Sequence, residues 1–199
     1  MRAYAILLAA LVIVGCEAPP ASTQAQAQTP TAAEPAAAAR KPDVVYVPTP
    51  PETVAEMLRL GEVKAGDVLY DLGSGDGRIP IAAARQFGVR AVGIDIDPER
   101  IAEAKANAKA AGVTKLVSFR NEDLFAADFR DASVVTLYLL PSLNEKLKPK
   151  LLAELKPGTR IVSHAFDMGE WEPEATSELP NGDRVFLWRI PERSTPAAR

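Results

Sequence analysis

The chain has 199 residues, of which 47% are hydrophobic, enough to bury one substantial core in a single folded domain. Its formal net charge is −3 and its pI is near 5.4, which argues against nucleic acid as a partner, because phosphate binding needs a clustered basic face. One cysteine and one histidine exclude a disulfide within the chain, and no metal centre or histidine-based nucleophile network is apparent.

Arg2 precedes an apolar stretch over 3–14 that is too short to span a bilayer and suits the core of a signal peptide. Ile13-Val14-Gly15-Cys16 closes it and resembles a bacterial lipobox, which implies cleavage after residue 15 and acylation of Cys16. Glu17 after the cysteine, rather than Asp, favours the outer membrane. The expected location is therefore the bacterial cell envelope, lipid-anchored in the periplasm. Residues 16–42 are rich in Ala, Pro, Gln and Thr and nearly devoid of large apolar side chains, a composition that cannot form a core and reads as a disordered tether. The folded domain is expected over 43–192, as a monomer, with a disordered tail at 193–199.

The domain opens on Thr49-Pro50-Pro51-Glu52, where Thr49 can cap a helix, Pro50 suits its first turn and Glu52 completes a capping box. Val54, Met57 and Leu58 form its apolar stripe. An apolar run at 68–70 then leads into Asp71-Leu72-Gly73-Ser74-Gly75-Asp76-Gly77, and a helical stretch begins near Ile79. A glycine-rich turn from a buried strand into a helix binds nucleotide-like ligands, because Gly73, Gly75 and Gly77 carry no side chain that would hold a ligand away. The spacing is GxGxG rather than the GxGxxG of dinucleotide folds. Asp71 and Asp76 would repel a pyrophosphate but attract an ammonium or sulfonium.

The next strand, 91–94, ends at Asp95, placed to accept hydrogen bonds from both hydroxyls of a ribose, with Ile96 beside it. Asp97 caps the following helix and Pro98 takes its first position; the helix stops at Gly112. A third strand, 116–120, runs into Asn121-Glu122-Asp123-Leu124, which offers side-chain and backbone partners to an adenine edge. The continuously apolar run 133–140 reads as a central strand buried on both faces. Residues 143–155 read as a helix ended by Lys156-Pro157-Gly158. Residues 160–166 form a fifth strand and 184–190 a last one, antiparallel and at or near the edge. Lys146, Lys148 and Lys150 read as the solvated side of a helix, and His164 packs at a strand end. Alternating strands and helices give an α/β fold, a doubly wound, mostly parallel sheet with its ligand at the carboxyl ends of the strands.

With the Asp-x-Gly-x-Gly-x-Gly turn and the acid ending the next strand, residues 44–190 resemble the class I S-adenosylmethionine-dependent methyltransferases. Tyr46-Val47-Pro48-Thr49-Pro50, the motif through Arg78, Asp123-Leu124, the segment 134–141 and Trp171-Glu172-Pro173 are similar to the small lysine methyltransferases related to the ATP-synthase c-subunit methyltransferase. The resemblance implies S-adenosyl-L-methionine as cofactor, held by Asp71, Gly73, Ser74, Gly75, Asp76, Gly77, Asp95, Ile96, Asn121, Asp123 and Leu124. It also implies that the segment before the first strand lies over the cofactor, making Tyr46 and Thr49 candidate contacts. The methyl acceptor would sit beyond 138–141, with Tyr138 lining its pocket; Glu122, Asp123 and Glu170 are candidates to guide a cationic acceptor. The acceptor class implied is a protein lysine; a small molecule near the membrane is the alternative, as is an idle S-adenosylmethionine-binding lipoprotein module. A nucleotide-linked oxidoreductase lacks the expected glycine spacing.

Overall fold

A computed structural model describes residues 46–193. In chain order the elements are α1 (Pro51–Leu60), β1 (Val68–Leu72), α2 (Arg78–Phe87), β2 (Arg90–Asp95), α3 (Pro98–Ala110), β3 (Val117–Asn121), β4 (Val134–Leu137), α4 (Pro141–Glu154), β5 (Arg160–His164), β6 (Ala175–Glu178) and β7 (Arg184–Arg189). The signal peptide expected at 1–15, Cys16 with the tether at 16–42, and residues 194–199 of the tail lie outside the described residues.

The strands form one sheet in the order β3-β2-β1-β4-β5-β7-β6. β1 to β5 are mutually parallel, and β7 runs antiparallel between β5 and β6. This is the α/β, mostly parallel sheet with an antiparallel C-terminal strand that the sequence pattern leads one to expect. The central strands are apolar along nearly their whole length because both faces are covered. Leu69, Ala91 and Val134 pack with the α1, α2 and α3 side chains Met57, Ile79 and Ala104. Their neighbours Tyr70, Val92 and Val135 pack with Leu147 and Leu151 of α4, since successive strand residues point to opposite faces. The strand order reverses direction between β1 and β4, and the crevice at that switch point is where open α/β sheets bind ligands.

Helix signals read locally are met where no tertiary partner competes. Asp97 accepts a hydrogen bond from Glu99 N (2.8 Å) at the start of α3, with Pro98 in its first turn. At α1 the expected cap fails: the N-cap residue is Pro50, with no side-chain capping bond. The buried Thr49 hydroxyl instead lies 3.2 Å from His164 Nδ1, a partner 115 residues away that no local rule reveals.

Two expected strands are shorter than their apolar runs. β4 stops at Leu137, and Tyr138-Leu139-Leu140 leave the sheet towards Pro141, whose ring restricts the residue before it to extended angles. β5 stops at His164 because Ala165 has φ +64°, outside any strand geometry. β6 escapes a sequence reading altogether. It is a four-residue edge strand, Ala-Thr-Ser-Glu, with alternate residues exposed and no large apolar side chain.

Candidate active site

The loop after β1 is stitched to the end of β2. Gly73 N and Ser74 N both donate to Ile94 O, at 2.8 and 3.0 Å. All three loop glycines have positive φ, but they do not share one task. A Cβ added to Gly75 would lie 2.2 Å from the Tyr46 ring, and one added to Gly77 would lie 2.5 Å from the Phe119 ring. Only Gly73 of the three lines the cleft. At Gly75 and Gly77 the absent side chain makes room for the Tyr46 and Phe119 rings, a packing demand that the sequence reading did not include.

The cleft, of about 170 Å³, opens over the carboxyl ends of β1, β2 and β3 and the loop after β4. Most of the residues singled out from the sequence line it: Asp71, Ser74, Asp76, Asp95, Ile96, Asp123, Leu124 and Tyr138, with Tyr46 and Thr49 from the segment before α1. Asn121 does not; its amide donates to Asp95 O (3.0 Å), where Glu122 N also donates (3.1 Å), so it shapes the end of β2. Glu170 is exposed and stands apart from the cleft, whereas Glu122 lines it. The three lysines of α4 are engaged rather than merely solvated: Lys146 lies 4.2 Å from the Phe125 ring centroid, Lys148 donates to Met168 O (3.2 Å) and Lys150 pairs with Glu154 (2.8 Å).

The acids divide by what already holds them. Asp95 accepts Gly75 N on one oxygen (2.8 Å) and Asp97 N on the other (2.9 Å), so this carboxylate ties the glycine loop to the turn after β2. Asp76 is met by Arg78, whose Nη2 and Nε lie 2.6 and 2.9 Å from its two oxygens. Burial opposes its ionised form, yet the Arg78 guanidinium outweighs burial and keeps the carboxyl below its ordinary range. Its charge is thus balanced within the protein, and the expected attraction for a ligand cation falls on the other acids. Asp71 is 2% exposed and takes one hydrogen bond, from the Thr136 hydroxyl at 2.7 Å. Burial pushes its carboxyl up to about 7; the Thr136 bond opposes this, and the Asp95 and Asp76 charges add to it.

Sequence reasoning missed Arg78 as a clamp. Its Nη1 donates to Thr49 O (2.8 Å), so one side chain ties the glycine loop to the segment lying over it. It also missed Thr136, whose signal was readable: a hydroxyl in an otherwise apolar central strand needs a polar partner. Arg100, 5.2 Å from the Tyr46 centroid, holds that ring over Gly75. At the far end of the cleft the Tyr138 ring stacks on His164 at 3.9 Å, with Phe166 at 6.1 Å.

Two features fit a cationic ligand with a polar body. Asp71 has no cationic partner among the described residues. Ser74 Oγ is buried at the cleft wall without a hydrogen-bond partner among them, a group that a bound ligand would satisfy.

Residues 71–175 match the family model described as ANTKMT methyltransferase domain. The chain is 48% identical over 155 residues to a protein-lysine N-methyltransferase of Saccharolobus islandicus, covering 76% of this chain and 96% of that protein. It is 38% identical over 149 residues to the mouse adenine nucleotide translocase lysine N-methyltransferase, covering 74% of this chain but only 63% of that longer protein. The crystal structure of an RNA methyltransferase from Salinibacter ruber in complex with S-adenosyl-L-homocysteine is 58% identical, with a TM-score of 0.73, over 75% of this chain and 97% of that one. The chain belongs to the ANTKMT methyltransferase domain family and is an S-adenosylmethionine-dependent methyltransferase.

Proposed function

We propose that the enzyme methylates the ε-amino group of a protein lysine. One observation carries this reading: the cleft is lined by more acids than bases. Asp71, Asp76, Asp95, Asp97, Glu122 and Asp123 contribute to its wall against the two cations Arg78 and Arg100, which pair with Asp76 and Glu103, while Glu122 lies 3.8 Å from Arg120. Such a mouth raises the local concentration of a cation and disfavours a phosphate backbone. The names of the archaeal and mouse relatives agree with a lysine acceptor.

S-adenosylmethionine supplies an electrophilic methyl on a sulfonium and departs as the thioether. The residues fit it in three parts. Asp71, Gly73 and Ser74 would hold the methionine portion, Asp95 and Ile96 the ribose, and Asp123 and Leu124 the adenine. Gly75, Gly77, Asp76 and Asn121 support the loops that do so, and Tyr46 and Thr49 cover them. The acceptor amine would lose its proton to solvent at the cleft mouth and approach beside Tyr138, whose phenol stays protonated because burial, and then Asp183, raise its pKa. The side chains of Tyr46, Leu139 and Leu143 line the cleft, and an apolar lining favours a reaction in which charge on sulfur disappears.

One observation favours a second reading: the 58% identical Salinibacter ruber protein is named an RNA methyltransferase. Incubating the purified full chain with methyl-tritiated S-adenosylmethionine and separate pools of bacterial protein, total RNA and extracted lipid distinguishes the two. Label recovered as methyllysine supports the lysine reading; label in RNA overturns it, and label in lipid points to a small-molecule acceptor.

The wider organisation belongs to the same proposal. The lipobox-like Ile13-Val14-Gly15-Cys16 supports export and an acyl anchor at Cys16, with the domain held off a bacterial envelope membrane in the periplasm by the 16–42 tether and acting as a monomer.

A further inference from the structure

His164 is the only histidine in the chain, is 2% exposed, and is addressed by three elements. From the β6–β7 turn, Asp183 Oδ2 lies 3.4 Å from its Nε2. From the segment before α1, Thr49 Oγ1 lies 3.2 Å from its Nδ1. From the end of β4, the Tyr138 ring covers its face at 3.9 Å. Asp183 is itself anchored by the Thr53 hydroxyl and by Asn181 Nδ2 (3.1 Å). Immediately after His164 the backbone turns through Ala165 at φ +64°, with Phe166 N donating to His164 O at 2.8 Å. That is the strained form of the γ-turn, rarely adopted by a residue with a side chain. The surroundings therefore over-determine where the imidazole and the Phe166 ring stand.

Donor and acceptor roles fix the polarity of this row. An ionised carboxylate only accepts, so Nε2 opposite Asp183 carries the proton. Burial disfavours the imidazolium more than Asp183 restores it, and the ring is neutral at neutral pH. Nδ1 is then an acceptor, and its partner, the Thr49 hydroxyl, must donate to it. Thr49 lines the cleft and is 4% exposed. With its one proton committed to His164, Oγ1 has only lone pairs to offer a group that reaches it from the cleft.

We infer that the Asp183–His164–Thr49 row sets the Thr49 hydroxyl as a hydrogen-bond acceptor in the cleft wall, selective for a cationic N–H donor. His164 is a positioning residue and Thr49 the contacting one. This inference rests on the lysine methyltransferase reading for one of two sources of that donor, the ε-ammonium of the acceptor; the other is the α-ammonium of the cofactor's methionine portion. Protonation of His164 would reverse the row. Nδ1 would donate to Thr49, the hydroxyl proton would be freed to turn towards the cleft, and Oγ1 would no longer be held as an acceptor only. Among the described residues the charged and titratable groups facing the imidazole are Asp183 and Tyr138, so the reversal belongs to the imidazole itself.

A sole histidine makes the test direct. In ¹⁵N-labelled full chain prepared without a histidine tag, a long-range ¹H–¹⁵N spectrum at neutral pH is expected to show the Nε2–H tautomer; an Nδ1–H tautomer overturns the inference. Thr49→Val, which keeps the shape and loses the hydroxyl, is expected to weaken one of two quantities by about 10- to 100-fold, the scale of a charge-assisted hydrogen bond. Weaker S-adenosylhomocysteine binding in calorimetry assigns the donor to the cofactor. Unchanged binding with a slower initial rate of transfer to bacterial protein, at saturating cofactor, assigns it to the acceptor. Both quantities unchanged in a folded variant overturn the proposal, and Thr49→Ser is expected to restore whichever is lost. If wild type transfers no methyl to protein, the lysine reading fails, while the tautomer and the binding titration still decide the row.

Discussion

Replacing Asp71 with Asn should make the ligand-free protein more stable at high pH while weakening its hold on the cofactor. The carboxyl is raised from 3.8 to about 7 by burial, against its bond from Thr136. In the unfolded chain it ionises at its ordinary value, so between about pH 4 and 7 the folded protein holds a proton that the unfolded chain has released. Stability therefore falls as pH rises through that window and levels off above it. Three units at 1.36 kcal/mol each put the loss at about 4 kcal/mol, taken as an order of magnitude. Asn is uncharged at every pH and still accepts from Thr136, so Asp71→Asn should flatten this part of the profile and gain up to about 4 kcal/mol near pH 8. Urea denaturation of both proteins at pH 5 and pH 8 measures it. A bound cation reverses the balance by favouring the carboxylate, so S-adenosylmethionine binding near pH 7 should release about half a proton in wild type and none in Asp71→Asn, read by calorimetry in buffers of different ionisation enthalpy. Identical pH dependence of stability in the two proteins would refute the assignment of a buried, near-neutral acid to the cleft.

The other expectations follow from which partner each group already has. Asp95→Ala removes the acceptor for both Gly75 N and Asp97 N; S-adenosylhomocysteine affinity should fall by about 1.5–3 kcal/mol and the melting temperature should fall with it, and a folded variant that titrates like wild type removes Asp95 from the site. Gly77→Ala places a methyl 2.5 Å from Phe119 at φ +79°; it should cost about 1–3 kcal/mol of stability while the folded fraction keeps its cofactor affinity, because Gly77 is not at the cleft wall. Cys16→Ser should abolish incorporation of a fatty-acid analogue, since acyl chains supply the anchoring energy, and absence of label in wild type contradicts the lipoprotein reading.

What the sequence made legible was whatever is decided within a few residues. The glycine turn, the acid ending β2, the Asp97-Pro98 helix start and the strands β1, β4 and β5 follow from backbone sterics, capping and burial, and they are found where expected except that β4 and β5 end early, at Leu137 and His164. What stayed hidden depends on neighbours distant in sequence. Thr49 reads as a cap until His164 is brought beside it, and the packing demand on Gly77 is invisible until Phe119 is set against it. Asp76 was the nearer miss, since its counter-charge Arg78 stands two residues away in the same motif. β6 left no trace because an exposed four-residue edge strand needs no apolar pattern.

A crystal structure of the full chain with S-adenosylhomocysteine tests the central claim most directly. The ribose hydroxyls are expected on Asp95, the adenine beside Asp123 and Leu124, the methionine portion at Asp71 and Ser74, and the sulfur directed towards Tyr138. A ligand seated elsewhere, or turned so that its sulfur faces away from Tyr138, would contradict that claim.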